Sequence, residues 1–280
     1  MSPDTARSRP NASAPENGTQ AKTSYDILQE EIAHGLGELN RPTPGLLLSG
    51  LSAGLDVGFS LFFMGVVLTL MLPAAPEPLT TFLVANMYSV GFIFVVLGRS
   101  ELFTEHTALA VFPLLNGNVA PRQVGRLWLL VYVSNLVGAT LAALMAAALG
   151  PRLGAIEPEA LQRIAGHLLE VDSGTMFLSA VVAGWLMGLL SWLVSAAAQD
   201  TMGRIIVVWL ITAGMGLAGL HHCIVGSAEV LAAVFTGGEV TFAHYGRFLL
   251  WATLGNTVGG VTMVAVLKYG HAVRSSDAAD

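Results

Sequence analysis

Long uncharged runs alternate with short polar clusters along the chain. Such runs cover residues 42–76 (interrupted only by Asp56), 78–98, 127–151, 173–199, 205–228 and 248–267. A hydrocarbon core about 30 Å thick takes about 20 apolar residues of helix. Six membrane-embedded segments are therefore expected. Around them the pattern changes. Residues 1–22, rich in Pro, Ser, Ala and Asn, read as a disordered cytoplasmic tail. Ile27, Leu28, Ile32, Ala33 and Leu36 then fall on one helical stripe, predicting an amphipathic helix from Tyr25 to Leu39 capped by Ser24. This helix (residues 23–41) is expected on the cytoplasmic face, either capping a pore entrance or anchoring at the interface. Residues 42–270 form the membrane domain and 271–280 a second cytoplasmic tail. Pro73, Pro76 and Pro78 stiffen a turn after the first segment, and Asn116-Gly117-Asn118 before Pro121 marks another. A short helix from Pro158 to Leu169 is expected in the connection 150–173, and a tight turn at 199–203.

Two runs carry polar residues at their ends or interiors. The run 78–98 enters Arg99-Ser100-Glu101-Leu102-Phe103-Thr104-Glu105-His106, and the run 205–228 contains His221-His222-Cys223 after Gly214, Gly216 and Gly219. A charged side chain at membrane depth costs about 2.5–3.5 kcal/mol on insertion scales, so such groups mark a pathway. Unwinding the helix at these points relieves the conflict where the freed backbone faces protein or a water-lined cavity. The halves also repeat. Leu48-Ser49, Ala53-Gly54 and Gly58 match Leu178-Ser179, Ala183-Gly184 and Gly188 at constant offset, and Asn135-Leu-Val-Gly138 matches Asn256-Thr-Val-Gly259. Three segments per half is an odd number, so the second half is expected upside down relative to the first. Paired interrupted helices in inverted repeats point to a transport site near the bilayer midplane. The fold class expected is an all-α membrane protein of six transmembrane helices in two inverted three-helix repeats, with helices two and five broken.

Composition agrees. The 280 residues are 54% hydrophobic and 11% charged, against about 25% charged in a soluble domain. A soluble molecule of this composition could not cover its surface. Lys and Arg set the orientation: Arg7, Arg9, Lys22 and Arg41 precede the first segment, Arg122 and Arg126 the third, Arg204 the fifth, and Lys268 and Arg274 follow the sixth, against Arg152, Arg163 and Arg247 on the other side. Both termini are expected in the cytoplasm. The sequons at Asn11 and Asn17 are then out of reach of glycosylation. The N-terminal stretch has no apolar signal core, so the first membrane helix is expected to direct insertion. A single cysteine, Cys223, excludes an intramolecular disulfide.

The candidate chemistry lies in the two breaks. Leu102 and Phe103 offer an apolar collar. Thr104 offers a hydroxyl where a second half-helix begins, and that N-terminus favours an anion. His222 can donate a hydrogen bond or a proton to a weak-acid anion. His221 is expected to be a satisfied inter-helix hydrogen bond, and Cys223 a small packing residue. Accessory candidates are Arg99 and Glu101, which could pair with each other, Glu229, which could pair with Arg99 or a histidine, and Asp56, more often an inter-helix hydrogen bond than a transport group. A zinc site is disfavoured by the spacing of His221, His222 and Cys223. No metal, cofactor or nucleic-acid partner is expected, and no nucleophile–base pair points to an enzyme.

Ser100-Glu101-Leu102-Phe103-Thr104 and His221-His222-Cys223, with Asn135-Leu-Val-Gly138, resemble the signatures of the formate/nitrite transporter family across about residues 42–270. The TEHT and HHC wording is most similar to the YfdC-like branch. The resemblance implies an aquaporin-like protomer in the lipid bilayer of the inner membrane, assembled as a homopentamer with one pore per protomer. It implies passage of small monovalent anions or their acids, such as formate or nitrite. It assigns Leu102, Phe103 and Thr104 to the first constriction and makes His222 the central histidine. The chain departs from the family in having Glu170 and Asp172 but no Lys or Arg over 168–173, Gly226 and Gly188 where asparagines are common, and Glu105 and His106 in place of small residues. The mechanism expected is proton-linked: the anion is held by Thr104 and His222 and crosses as its neutral acid. The rivals are a neutral-solute or ammonia-type channel and a non-transporting membrane protein with a vestigial pore.

Overall fold

The computed structural model describes residues 22–72, 75–197 and 200–276. Residues 1–21 of the expected N-terminal tail (1–22) with its sequons, Pro73, Gln199 of the expected turn 199–203, and residues 277–280 lie outside these. All regular structure among the described residues is helical. The order is α1 (Ser24–Asn40), α2 (Thr43–Met71), α3 (Glu77–Gly98), α4 (Phe103–Leu109), α5 (Val111–Leu115), α6 (Pro121–Arg152), α7 (Pro158–Leu169), α8 (Ser173–Ala196), α9 (Thr201–Leu217), α10 (Val225–Thr236) and α11 (Phe242–Val258). A π-helical stretch (Gly259–Val266) then leads into α12 (Leu267–Ser276).

Five helical spans are long and apolar enough to cross a membrane: α2, α3, α6, α8 and the continuous stretch Phe242–Arg274. The sequence pattern suggests six. The difference lies in the run 205–228, which stops at Leu217 after only 17 residues of α9 and resumes at Val225 as α10. The polar residues expected to disrupt a helix here divide the run, and neither piece has full length. The first break behaves likewise: α3 ends at Gly98 and α4 starts at Phe103. Two other boundaries moved. Thr23, not Ser24, caps α1. Its hydroxyl accepts from Asp26 N, while the Asp26 carboxylate accepts from Thr23 N, a reciprocal capping box. The third segment begins six residues early at Pro121, because Pro suits a first helical turn and Arg122 and Arg126 lie at its polar end.

The core is built on close glycine crossings. A Cβ on Gly54 would lie 2.2 Å from Asn135 O, and one on Gly138 2.4 Å from Leu51 O, so α2 and α6 meet backbone to backbone. A Cβ on Gly184 would lie 2.1 Å from Asn256 O, and one on Gly259 2.0 Å from Val181 O, so α8 meets α11 and the start of the π-helical stretch in the same way. Such contact maximises van der Waals packing, the main driving force between helices in lipid. Gly260 presses on α4, where a Cβ would stand 2.0 Å from Thr107 Oγ1, and the helix is π-wound through this crossing. Outward faces are apolar: Leu129, Val133, Val137 and Leu141 on α6, and Leu178, Val182 and Trp185 on α8, are all exposed. Water would reject such a surface; lipid accepts it.

Candidate functional site

The two breaks expose backbone groups where no water is at hand, and each unmade bond there is costly. Each break is pinned by one asparagine. Asn135 of α6 donates to Gly50 O (2.7 Å) and Glu101 O (2.8 Å) and accepts from Phe103 N (2.8 Å). Asn256 of α11 donates to Ala180 O (2.8 Å) and His221 O (2.9 Å) and accepts from Cys223 N (2.8 Å). A serine adds a further bond at each place: Ser49 accepts from Glu101 N (3.1 Å) and Ser179 from His221 N (3.2 Å). The chain enters both breaks through left-handed residues. At Gly219, with φ 61°, glycine carries no penalty; at Arg99, with φ 55°, a side chain tolerates the same turn.

Between the breaks, Thr104 Oγ1 and His222 Nε2 are 2.8 Å apart, with both residues buried. The tautomer follows from the other ring nitrogen. His222 Nδ1 accepts from Ile224 N (3.2 Å) and Val225 N (3.3 Å), the first free amides of α10. The imidazole thus caps the half-helix through Nδ1, and in its neutral form the ring proton sits on Nε2. Nε2–H then donates to the Thr104 oxygen, which leaves the Thr104 hydroxyl proton free for a solute. Adding a proton at Nδ1 would break both amide bonds, so the arrangement favours His222 as a hydrogen-bond donor over His222 as a proton source.

The other candidates fall in several places. Phe92 of α3 meets His222 edge-on, with ring centroids 5.2 Å apart, and Tyr88 lies 5.3 Å from Phe92. Neither is marked in the sequence, being aromatic in an apolar run. Leu102 is buried at the N-cap of α4, and Phe103, also buried, packs on Tyr132 (4.8 Å) and Trp128. His221 is taken up by structure: Nδ1 meets the Ser179 hydroxyl (2.8 Å), and Nε2 donates to Leu168 O (2.9 Å). Asp56 accepts from Ser100 (3.1 Å) and Ser52 (3.3 Å), tying α2 to the first break.

Glu101 and Arg99 do not pair. Glu101 accepts from Arg41 (2.7 Å) and stands in ion-pair contact with His106 Nε2 (2.8 Å), while Arg99 is exposed at the helix end. Arg41 also holds Glu38 (3.1 Å), and His106 Nδ1 donates to Leu102 O (3.0 Å). Burying Glu101 requires countercharge, which the chain brings from α1 and α4. Ligand atoms of Glu38, Glu101 and His106 lie within 4.8 Å of one another, but Arg41 already bridges the two carboxylates, so the group is an ion-pair network in itself. Glu229 pairs with neither Arg99 nor a histidine. Its Oε1 is buried without a hydrogen-bond partner, at the wall of a chamber of about 470 Å³ that Glu77, Thr80, Tyr88, Arg163 and His167 also line. The stretch 168–173 has no cation of its own, yet Arg247 of α11 donates to Leu169 O (2.7 Å) and Val171 O (3.2 Å), supplying one from another element.

The pattern of the family described as "Formate/nitrite transporter" matches residues 25–270. The chain is 32% identical over 239 residues to the "Inner membrane protein YfdC" of Escherichia coli (strain K12), covering 84% of this chain and 74% of that protein. Its fold is similar to that of an "FNT family ion channel" (TM-score 0.77, 21% identity, 88% of this chain and 98% of the other). It is also similar to a "Pentameric formate channel with formate bound" (TM-score 0.68, 24% identity, 82% and 98%). With a helical membrane-protein fold, two interrupted helices that meet at Thr104 and His222, and a family match over most of its length, this chain belongs to the formate/nitrite transporter family.

Proposed function

We propose that the protein is a membrane channel for small monovalent anions or their conjugate acids, formate and nitrite being the first to test. The observation that carries this is the Thr104–His222 contact of 2.8 Å between the two breaks. It offers a buried hydroxyl proton beside the N-termini of α4 and α10, whose partial positive ends suit one small negative charge. Leu102 and Phe92 make the surroundings apolar, so a bare anion crosses at high cost and its neutral acid at low cost. The flux is thereby proton-linked.

The rest of the reading is architectural. Residues 42–270 form six membrane segments in two inverted triplets, with α9 and α10 together serving as the fifth. The matched bonds of Asn135 and Asn256, and the matched crossings at Gly54/Gly138 and Gly184/Gly259, support that symmetry. The segment 23–41 is a cytoplasmic helix, both termini are cytoplasmic, and the inner membrane is the location. A homopentamer is supported by the pentameric formate channel of similar fold. The family is described as one of transporters and both structures of similar fold as channels, which supports a non-enzymatic role.

Uptake of radiolabelled formate and nitrite into proteoliposomes tests the function. The wild type should take up either acid faster as external pH falls. Thr104→Val and His222→Ala should each lower uptake by about 10²-fold, the scale for loss of a buried polar partner along a path. Wild-type rates in both variants would remove Thr104 and His222 from the pathway. A second reading, a channel for neutral hydrogen-bonding solutes, is favoured by the acidic chamber at Glu229; swelling assays with ammonia-type solutes decide between the two.

A further inference from the structure

Glu229 is not needed by any structural bond of the fold, yet it is buried. It stands one turn into α10, is 3% exposed, and lines the chamber of about 470 Å³ that opens between α3, α7 and the second break. Its Oε1 finds no hydrogen-bond partner. The ionisable groups around it are already engaged or lie at the rim. On α7, Arg163 pairs with Glu77 of α3 (3.0 Å), and His167 and Glu170 are exposed. On α3, Tyr88 shares the chamber wall. On α11, Tyr245 donates to Ser227 (3.3 Å), and Arg247 is bonded to the carbonyls of Leu169 and Val171. On α6, Tyr132 is bonded to Thr253 (2.8 Å), and on α2, Asp56 is bonded to Ser52 and Ser100. Cys223 in the break is a buried thiol. Arg163 and His167 share the chamber, and no cation pairs with Glu229 among the described residues.

An unpaired buried carboxyl cannot share this floor with a second negative charge, since like charges there meet with little solvent to separate them. Inward of the chamber, Tyr88 packs on Phe92, and Phe92 on His222. A solute bound for Thr104 and His222 through this chamber therefore meets Glu229 and Tyr88 on its wall, with Phe92 and His222 beyond.

We infer that Glu229 is the proton-exchanging residue of the chamber, and that a small carboxylic or nitrous acid anion passes it only in company with one proton. The step is a single transfer. The O–H bond of the Glu229 carboxyl breaks, an O–H bond forms on the substrate oxygen, and the neutral acid moves on toward Thr104. Glu229 is left as carboxylate and takes its proton back from a hydronium ion of the external solution, which leaves as water. Substrate and Glu229 together hold one negative charge throughout. This rests on the small-anion reading above and assigns its proton to a residue other than His222.

The test uses the full-length protein in proteoliposomes with [¹⁴C]formate, an internal pH dye, and external pH 5.5 or 7.5. Wild type should move about one proton per formate. Glu229→Gln keeps size and burial but cannot exchange a proton, and should lower acid-driven uptake about 10²-fold, a usual contribution of a positioned proton donor. Glu229→Asp keeps the carboxyl and should stay within about tenfold of wild type, with the pH profile retained. Glu229→Gln with wild-type rate, stoichiometry and pH profile would overturn the inference while leaving the channel reading intact. Equal loss in both variants, with unaltered elution in detergent, would mark a packing role and overturn it too. Failure of the wild type to take up formate or nitrite would remove the channel reading and this inference together.

Discussion

At the scale of single residues, the two asparagines hold more of the site than the groups that face it. Asn256→Ala would leave Cys223 N and His221 O without their asparagine partner, and Asn135→Ala would do the same to Phe103 N and Glu101 O; Ala180 O and Gly50 O keep their helical bonds. Each buried orphan costs about 1–3 kcal/mol, so either change should destabilise by about 2 kcal/mol or more. Thermal unfolding in detergent should show a fall of similar size for both, and a shift in only one would mean the breaks are not equivalently supported. Thr104, His222 and both asparagines are legible in the sequence because a polar group in an apolar run has no reason to be there without a partner. Phe92 is not legible. It is one apolar residue among many in α3, and only the way α3 crosses the second break sets its ring against His222. Glu101 is legible as a charge that needs a countercharge. Its partners are not, since Arg41 lies sixty residues away on another element and His106 comes close only through the turn of α4.

At the scale of elements, α1 is the piece whose hold is tunable. Its apolar stripe of Ile27, Leu28 and Ile32 packs against Phe112, Trp192, Val264 and Ala272. Gly35 lies so close to α4 that a Cβ would stand 2.6 Å from Leu109 O. Within this contact Glu31 is fully buried. It accepts from Ser191 (3.0 Å) and from Ser195 at the end of α8. Burial pushes the Glu31 carboxyl above its ordinary value, against the lowering effect of Ser195, Ser191, His34 and His106. Lys22 stands nearby but is turned to Ser195 O (2.8 Å) and Glu30 (2.5 Å). A carboxyl whose docked value is raised favours docking fully below its free value and loses that favour as pH rises through the docked value. Docking of α1 should therefore be tightest in acid and loosen above the ordinary carboxylate range. Hydrogen exchange of residues 24–40 at pH 5 and pH 8 should show the difference, and Glu31→Gln should abolish it. Exchange that is pH-independent in wild type after correction for the chemical rate would remove Glu31 from control of this contact. The stripe of α1 and the bounds of α7 could be read from spacing alone, because amphipathic period and Pro158 are local signals. The π-helical stretch 259–266 could not, since it coincides with a crossing, Gly260 against Thr107, that no local signal in the sequence marks.

At the scale of the whole molecule, the decisive fact is that both breaks, both asparagines and the chamber of Glu229 belong to one chain. α3 packs on α9 and α10 on α6, so the two halves interleave, and the Thr104–His222 contact closes without help from a neighbour. The outward faces of α6 and α8 are apolar, and suit lipid or another copy equally. If the protein assembles as a pentamer, each protomer should then conduct alone. Wild-type and His222→Ala chains, tagged differently and co-expressed, can be purified as mixed oligomers of known ratio. Detergent-corrected mass should give five times the 29.3 kDa of one chain, and formate uptake should rise in proportion to the wild-type fraction. A conduit shared among protomers behaves otherwise. If one defective chain silenced the assembly, uptake would fall as the fifth power of the wild-type fraction, to about 3% at an equal mixture where independent pores give about half. Steep loss of that kind would mean that the protomers do not conduct independently. A straight line would keep the path inside the protomer, where the bonds of Asn135 and Asn256 already build it.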